Sequence, residues 1–210
     1  MNEIIPGILE TSWEEIEAKI NLCKGFTRTI HIDFIDGKFS QNTTFLDFQK
    51  FSSLSKDLFL EAHLMVDEPI DFIKPLADAG FKRFVGHIEK MGSQEDFVVK
   101  AQEMGEVGLA LDFKTPVEEI KVPFEDLDTI LVMGVNAGFS GQQFLPDSLE
   151  KVREIRKNSL VNIEIDGGVN DKNIRDIEDA GANYFISTSF LFKGDIKTNF
   201  ETLSSLVFRV

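Results

Sequence analysis

Thr29-Ile30-His31-Ile32-Asp33-Phe34-Ile35-Asp36-Gly37 reads as a buried strand that runs out into polar residues. Its β-branched and aromatic residues suit a sheet interior. On a strand, side chains i and i+2 share a face. Ile30, Ile32 and Phe34 therefore pack outward, while His31 and Asp33 turn together to the other side, where an imidazole and a carboxylate can grip one metal ion. Taken alone, the pair is better read as a His and an Asp satisfied by local hydrogen bonds. Recurrence changes that balance: Glu61-Ala62-His63-Leu64-Met65-Val66 and Ile163-Glu164-Ile165-Asp166-Gly167-Gly168 again end apolar strands in a residue able to bind a metal.

Working outward, short apolar runs alternate with amphipathic ones along the whole chain. Strands are expected to begin near Ile4, Thr29, Asp57, Lys82, Val107, Asp128, Val161 and Asn183. Helical patterns fall between them: Ser12 to Cys23, Phe45 to Leu54, Pro69 to Ala79, Ser93 to Met104, Pro116 to Ile120, Pro146 to Lys157, Asn170 to Ala180, and a last one from about Thr198. Proline in a first turn and glycine beyond a last one mark several of these boundaries. Strict alternation implies an α/β protein with a parallel sheet, and eight units suggest closure into a (β/α)8 TIM barrel. An open, doubly wound sheet is the alternative. The barrel is preferred because the three candidate ligand sites end the second, third and seventh strands, which share one mouth only if the sheet curls round.

The bulk properties fit one domain over residues 1–210. A hydrophobic content of 42% is ordinary for a globular chain of 210 residues. No signal peptide is expected from the first residues, no apolar run is long enough to suggest a membrane span, and the lone cysteine, Cys23, allows no internal disulfide. A cytoplasmic location is expected. The net charge of −14 argues against partners such as nucleic acid or a membrane. An anionic substrate would therefore need positive potential from a metal ion or from backbone N–H groups.

The inward residues His31, Asp33, His63 and Asp166 offer two imidazoles and two carboxylates, a set suited to one divalent ion such as zinc, iron, manganese or cobalt. His87, the third histidine, reads as a packed residue or one that supports a ligand. Anion-binding loops are expected after the last two strands, at Gly167-Gly168 and Ser187-Thr188-Ser189, each ahead of a helix. A third loop, Asn136-Ala137-Gly138-Phe139-Ser140-Gly141-Gln142, follows the sixth strand. It holds no lysine, so main-chain N–H groups would carry most of the phosphate binding.

With HIDFIDG at 31–37, EAHLMV at 61–66, LVMGVNAGFSGQQF at 131–144 and IEIDGGVN at 163–170, in this order, the chain resembles the ribulose-phosphate 3-epimerase family over nearly its whole length. The resemblance implies a barrel of the ribulose-phosphate-binding type and an isomerase that interconverts D-ribulose 5-phosphate and D-xylulose 5-phosphate through an enediolate. It implies Asp33 and Asp166 as the catalytic acid/base pair, and one divalent metal ion per subunit, zinc or iron foremost, on His31, Asp33, His63 and Asp166. Substrate and its phosphate would lie on His63, Gly138, Phe139, Ser140, Gly141, Gly167, Gly168, Thr188 and Ser189, with Met65 and Met133 nearby. The partners implied are a ketose phosphate and further copies of the chain in a homo-oligomer.

The chain departs from the family pattern at Gly7, where a serine is usual, at Ile35, Gln41 and Ala137, and at Ser140 and Thr188, where glycines are usual. Two other readings follow from these changes: an epimerase of a related ketose phosphate such as allulose 6-phosphate, and a sugar-phosphate-binding barrel without turnover. Decarboxylation or aldol addition in similar barrels relies on an Asp-x-Lys-x-x-Asp pattern, and the matching stretch here carries His63 and no lysine.

Overall fold

The computed structural model describes residues 2–207. Eight parallel strands close on themselves in sequence order: β1 (Glu3–Ile8), β2 (Thr29–Ile35), β3 (Phe59–Met65), β4 (Arg83–His87), β5 (Glu106–Leu111), β6 (Thr129–Met133), β7 (Asn162–Asp166) and β8 (Tyr184–Ser187). Closure runs through β1 and β8, where Glu3 to Pro6 pair with Tyr184 to Ser187. The open-sheet alternative is thereby excluded, and the barrel is the observed architecture.

Six α-helices cover the barrel among the described residues: α1 (Trp13–Cys23), α2 (Ile70–Asp78), α3 (Gln94–Gln102), α4 (Ser148–Asn158), α5 (Ile174–Ala180) and α6 (Ile196–Val207). The two remaining expected helices are corrected to 3₁₀ turns. Phe45 to Leu54 forms one over Phe48–Ser53, and Pro116 to Ile120 one over Val117–Glu119. The first has a physical cause visible in its spacing. Phe45, Phe48, Phe51 and Leu54 recur every third residue, which aligns them on one side of a helix with three residues per turn. Phe51 then packs against Phe34 and Phe81, with ring centroids 5.9 and 5.2 Å apart. The second segment lies between Pro116 and Pro123 and is too short to propagate an α-helix.

Alternation within each strand divides the core. Ile30, Ile32, Phe34, Leu60, Ala62, Leu64, Ile163 and Ile165 point outward into the main hydrophobic cluster, where they meet helix residues such as Ile16, Ile73, Val152 and Ile177. Inside the barrel, Val85, Ala110, Leu131 and Met133 make a small apolar wall on β4 to β6. Facing that wall, the interior is polar: His31, Glu61, His63, Arg83, Glu164 and Asp166 are all buried.

Candidate metal centre and active site

Strand register stacks the polar interior in two layers. Asp33 lies beside His63 and Asp166 beside Met133 in the upper layer; one step below, His31 lies beside Glu61, Glu61 beside Arg83, and Glu164 beside Leu131. The layers arise from one rule, since Glu61 precedes His63 by two residues and Glu164 precedes Asp166 by two.

The upper layer, joined by His31 reaching up from the layer below, brings the expected ligands together. One ligand atom from each of His31, Asp33, His63 and Asp166 falls within a set whose members all lie within 4.8 Å of one another. Atoms bound to one ion at about 2.1 Å stand no more than about 4.2 Å apart. A shift of about half an ångström would close the set on a metal. His63 Nδ1 is 2.8 Å from Asp33 Oδ1 and 3.6 Å from Asp166 Oδ2, and His31 Nε2 is 3.3 Å from Asp33 Oδ1.

A proton count tests whether a cation belongs there. Glu89 accepts the backbone N–H of Asp112 at 2.7 Å and stands 3.0 Å from His87 Nδ1. Although burial opposes it, the bond from His87 helps hold the Glu89 carboxyl down at about 2, so Glu89 is an acceptor. Burial lowers the pKa of His87, which keeps that ring neutral. His87 Nδ1–H therefore donates to Glu89, and its Nε2 lone pair accepts the Nε2–H of His63 across 3.0 Å. With that one proton on its ring, His63 turns its Nδ1 lone pair toward carboxylate oxygen. His31 repeats the pattern, because its Nδ1–H donates to Glu61 and its Nε2 lone pair looks toward Asp33. Two lone pairs opposing a carboxylate require a cation between them or a proton on each ring, and a divalent ion supplies that charge. The donor set fits a metal, and each imidazole is oriented through its other nitrogen by a carboxylate or a histidine, as metal-bound histidines usually are.

A second cluster, His31, Glu61 and Glu164, has donor atoms equally close together. Its charge is already answered by Arg83, whose Nη1 donates to Glu61 at 2.5 Å and lies 3.4 Å from Glu164, while Nε donates to Glu106 at 2.8 Å. The metal position is therefore the upper one.

The two upper carboxyls are pushed in opposite directions. Without a metal ion, protons on the rings take the cation's place: although burial opposes it, hydrogen bonds and charge from Asp33 and Glu61 raise His31 well above its ordinary value. Again against burial, hydrogen bonds from His31 and His63 hold Asp33 well below the usual carboxylate range. Burial and the neighbouring charge of Asp33 raise Asp166 to about 6. Such a split marks a pair able to play acid and base.

Above this layer opens a pocket lined by Asp33, Asp166, Met65, Met133, Gly138, Phe139, Ser140, Gly141, Gly167, Gly168, Thr188 and Ser189, so three loops and both carboxyls share one cavity. His31 and His63 are fully buried beneath it and reach it only through Asp33 and Asp166. Gly168 shows why the seventh-strand loop needs glycine. Its φ is 73°, and a Cβ there would stand 2.8 Å from the backbone nitrogen of Phe144.

The expected helix N-termini are corrected: α5 begins only at Ile174 and α6 at Ile196, several residues beyond Gly168 and Ser189. After β8 the chain makes a single helical turn, Phe192 N–H to Thr188 C=O at 3.2 Å. Anion binding there falls to loop N–H groups. Sequence reasoning missed Glu61, Arg83, Glu89 and Glu164; the signal for three of them was the i, i+2 step from His63, His87 and Asp166.

Comparison with known proteins agrees with this geometry. A family model described as "Ribulose-phosphate 3 epimerase family" matches residues 3–192. The ribulose-phosphate 3-epimerase of Schizosaccharomyces pombe is 36% identical over 197 residues, covering 90% of this chain and 86% of that protein. The enzyme of the same name from Bacillus subtilis is 34% identical and covers 91% of this chain and 93% of its own. Among solved structures, a 3-hexulose-6-phosphate synthase (TM-score 0.70, 14% identity, 98% of this chain and 99% of that one) and the phosphoribosyl anthranilate isomerase of Thermus thermophilus (TM-score 0.69, 12% identity, 98% and 99%) share the barrel fold. The chain belongs to the ribulose-phosphate 3-epimerase family.

Proposed function

We propose that this protein interconverts D-ribulose 5-phosphate and D-xylulose 5-phosphate by inverting carbon 3. The observation that carries the reading is the pair Asp33 and Asp166, both lining one pocket, with one carboxyl held ionised and the other raised toward neutrality. Inversion through a planar enediolate needs a base to take the carbon-bound proton and an acid to return one to the other face. Asp33, the stronger acid of the two, is the base for one epimer; Asp166 holds its proton more readily and delivers it. Their roles exchange in the reverse direction.

A divalent ion on His31, Asp33, His63 and Asp166 would neutralise the charge that develops on the substrate oxygens, and this donor set suits zinc or iron, with manganese or cobalt as alternatives. Glu61 orients His31 and His87 orients His63, so each ring keeps the tautomer that presents a lone pair to the centre. Loop N–H groups at Gly138 to Gly141 and Gly167-Gly168, with Thr188 and Ser189, would hold the phosphate. Met65 and Met133 give the reacting carbons an apolar wall that limits water.

The test loads metal-free protein with each of the four ions and follows ribulose 5-phosphate in heavy water by NMR. Appearance of xylulose 5-phosphate with deuterium at carbon 3, lost on chelation and restored by one ion, is the expected result. A protein that binds metal yet leaves carbon 3 unexchanged with every ion would overturn the assignment. Allulose 6-phosphate, run in parallel, decides between five and six carbons by which sugar turns over faster.

A further inference from the structure

Gly7 sits near the end of β1, paired with His31 of β2 on one side, while its neighbour Pro6 pairs with Ser187 of β8 on the other. It is buried, and the space a side chain there would occupy is already filled. A Cβ at Gly7 would press inside the van der Waals envelope of the Thr188 hydroxyl oxygen and lie 2.9 Å from Ile186 Cγ2. Threonine is stiff at χ1. Its hydroxyl can point into the barrel mouth at this place only while residue 7 has no side chain.

The hydroxyl so placed has no protein partner among the described residues. Two hydroxyls just beneath the mouth are taken up by the fold: Ser187 Oγ donates to Val169 O at 3.0 Å, and Thr44 Oγ1 donates to Asp33 O at 2.8 Å. Thr188 uses only its carbonyl, which accepts from Phe192, and its side chain lines the pocket with Asp33 and Asp166. A hydroxyl fixed in place by the empty volume at Gly7, in the pocket that both carboxyls line, is positioned to meet a ligand bound there.

We propose that Gly7 and Thr188 form an interlocked pair, in which the absence of a side chain on β1 lets the Thr188 hydroxyl of β8 take that volume and hydrogen-bond an oxygen of the bound sugar phosphate. The proposal rests on the epimerase reading and names a substrate contact within it. It also makes the two positions interdependent: a side chain at 7 displaces the Thr188 hydroxyl, and a serine at 7 can replace it when residue 188 is glycine.

Metal-loaded protein is titrated calorimetrically with a pre-equilibrated mixture of ribulose and xylulose 5-phosphates, so that no net reaction heat intrudes. Loss of one hydrogen bond to substrate predicts that Thr188→Val weakens binding about tenfold, while Thr188→Ser stays within about threefold of the parent. Gly7→Ser alone weakens binding by about tenfold, and Gly7→Ser/Thr188→Gly recovers to within about threefold. Parental binding by Thr188→Val, or a double variant no tighter than Thr188→Gly, overturns the proposal while leaving the epimerase reading intact; a parent that binds neither epimer overturns both. Melting temperatures decide the steric half without any ligand. Gly7→Ala should lower the Tm clearly in the parent and much less in Thr188→Gly, and equal losses in both backgrounds would remove the interlock.

Discussion

The upper layer of the barrel interior sets Asp33 and Asp166 against the imidazoles of His63 and, reaching up from below, His31, with no lysine or arginine among the described residues lining the pocket above them. The layer one step below also holds two carboxyls, Glu61 and Glu164, but has Arg83 driven in beside them. His31 joins the two, touching Asp33 through Nε2 and Glu61 through Nδ1. The lower layer is self-neutralising: Arg83 helps hold Glu61 at about 2, and burial together with the Glu61 charge raises Glu164 to about 8, so it stays protonated near neutrality. What differs is where the balancing charge comes from. A fold that supplies a fixed guanidinium in one layer and none in the next has left the second open to a cation from outside, and charge that enters with a ligand can serve chemistry as well as stability.

The largest expected effect is on turnover. Asp33→Asn and Asp166→Asn each remove a proton-transfer group and should lower kcat by about 10²–10⁴, measured by carbon-3 deuterium exchange. Arg83→Met probes the lower layer. It strands a buried Glu61 carboxylate and should cost about 3–5 kcal/mol in urea unfolding of metal-free protein, whereas Asp166→Asn, which relieves like-charge contact with Asp33, should leave that stability unchanged or raised. Equal losses from both changes would erase the contrast between the layers.

A smaller effect is expected at the support of the centre. Glu89→Gln weakens the acceptor that orients His87, and through it His63, so metal affinity should fall about tenfold in a competition with a chelating dye. The last effect is spread over a pH range and vanishes at its acid end. Glu164, raised by burial and the Glu61 charge from its ordinary 4.5 to about 8, keeps a proton in the folded chain that the unfolded chain releases, so it contributes a loss of stability as pH climbs from about 4.5 to 8. Glu164→Gln removes that term; relative to the parent, the variant should gain stability between pH 5 and pH 8 in denaturant titrations, and a constant difference would contradict the protonated state assigned here.

Much of this was legible from local patterns. Strand positions came within about two residues because alternation with period two is written in neighbouring residues, and the four ligands could be named because each ends such a strand. The same alternation, continued two residues back, leads to Glu61 and Glu164, but a glutamate on a strand carries no mark of its partner, and Arg83 looks from its neighbours like any surface arginine. The Phe45 to Leu54 segment shows the opposite case, where an every-third-residue aromatic spacing was present and an α-helix was expected all the same. The loops after β7 and β8 were rightly placed, yet the helices behind them start later than glycine and serine signals indicate.

By itself, the sequence determined the order of strands, which side chains face inward, the family, and the residue types from which a metal centre could be made, because all of these depend on spacing along the chain. Only the closed barrel decided which inward groups meet. Asp33 and Asp166 are remote in the polymer and come to one pocket through the pairing of β1 with β8, and the hydroxyl of Thr188 finds its place because a residue on another strand has no side chain. Through-space charge and excluded volume act between atoms that the chain brings together only when it folds.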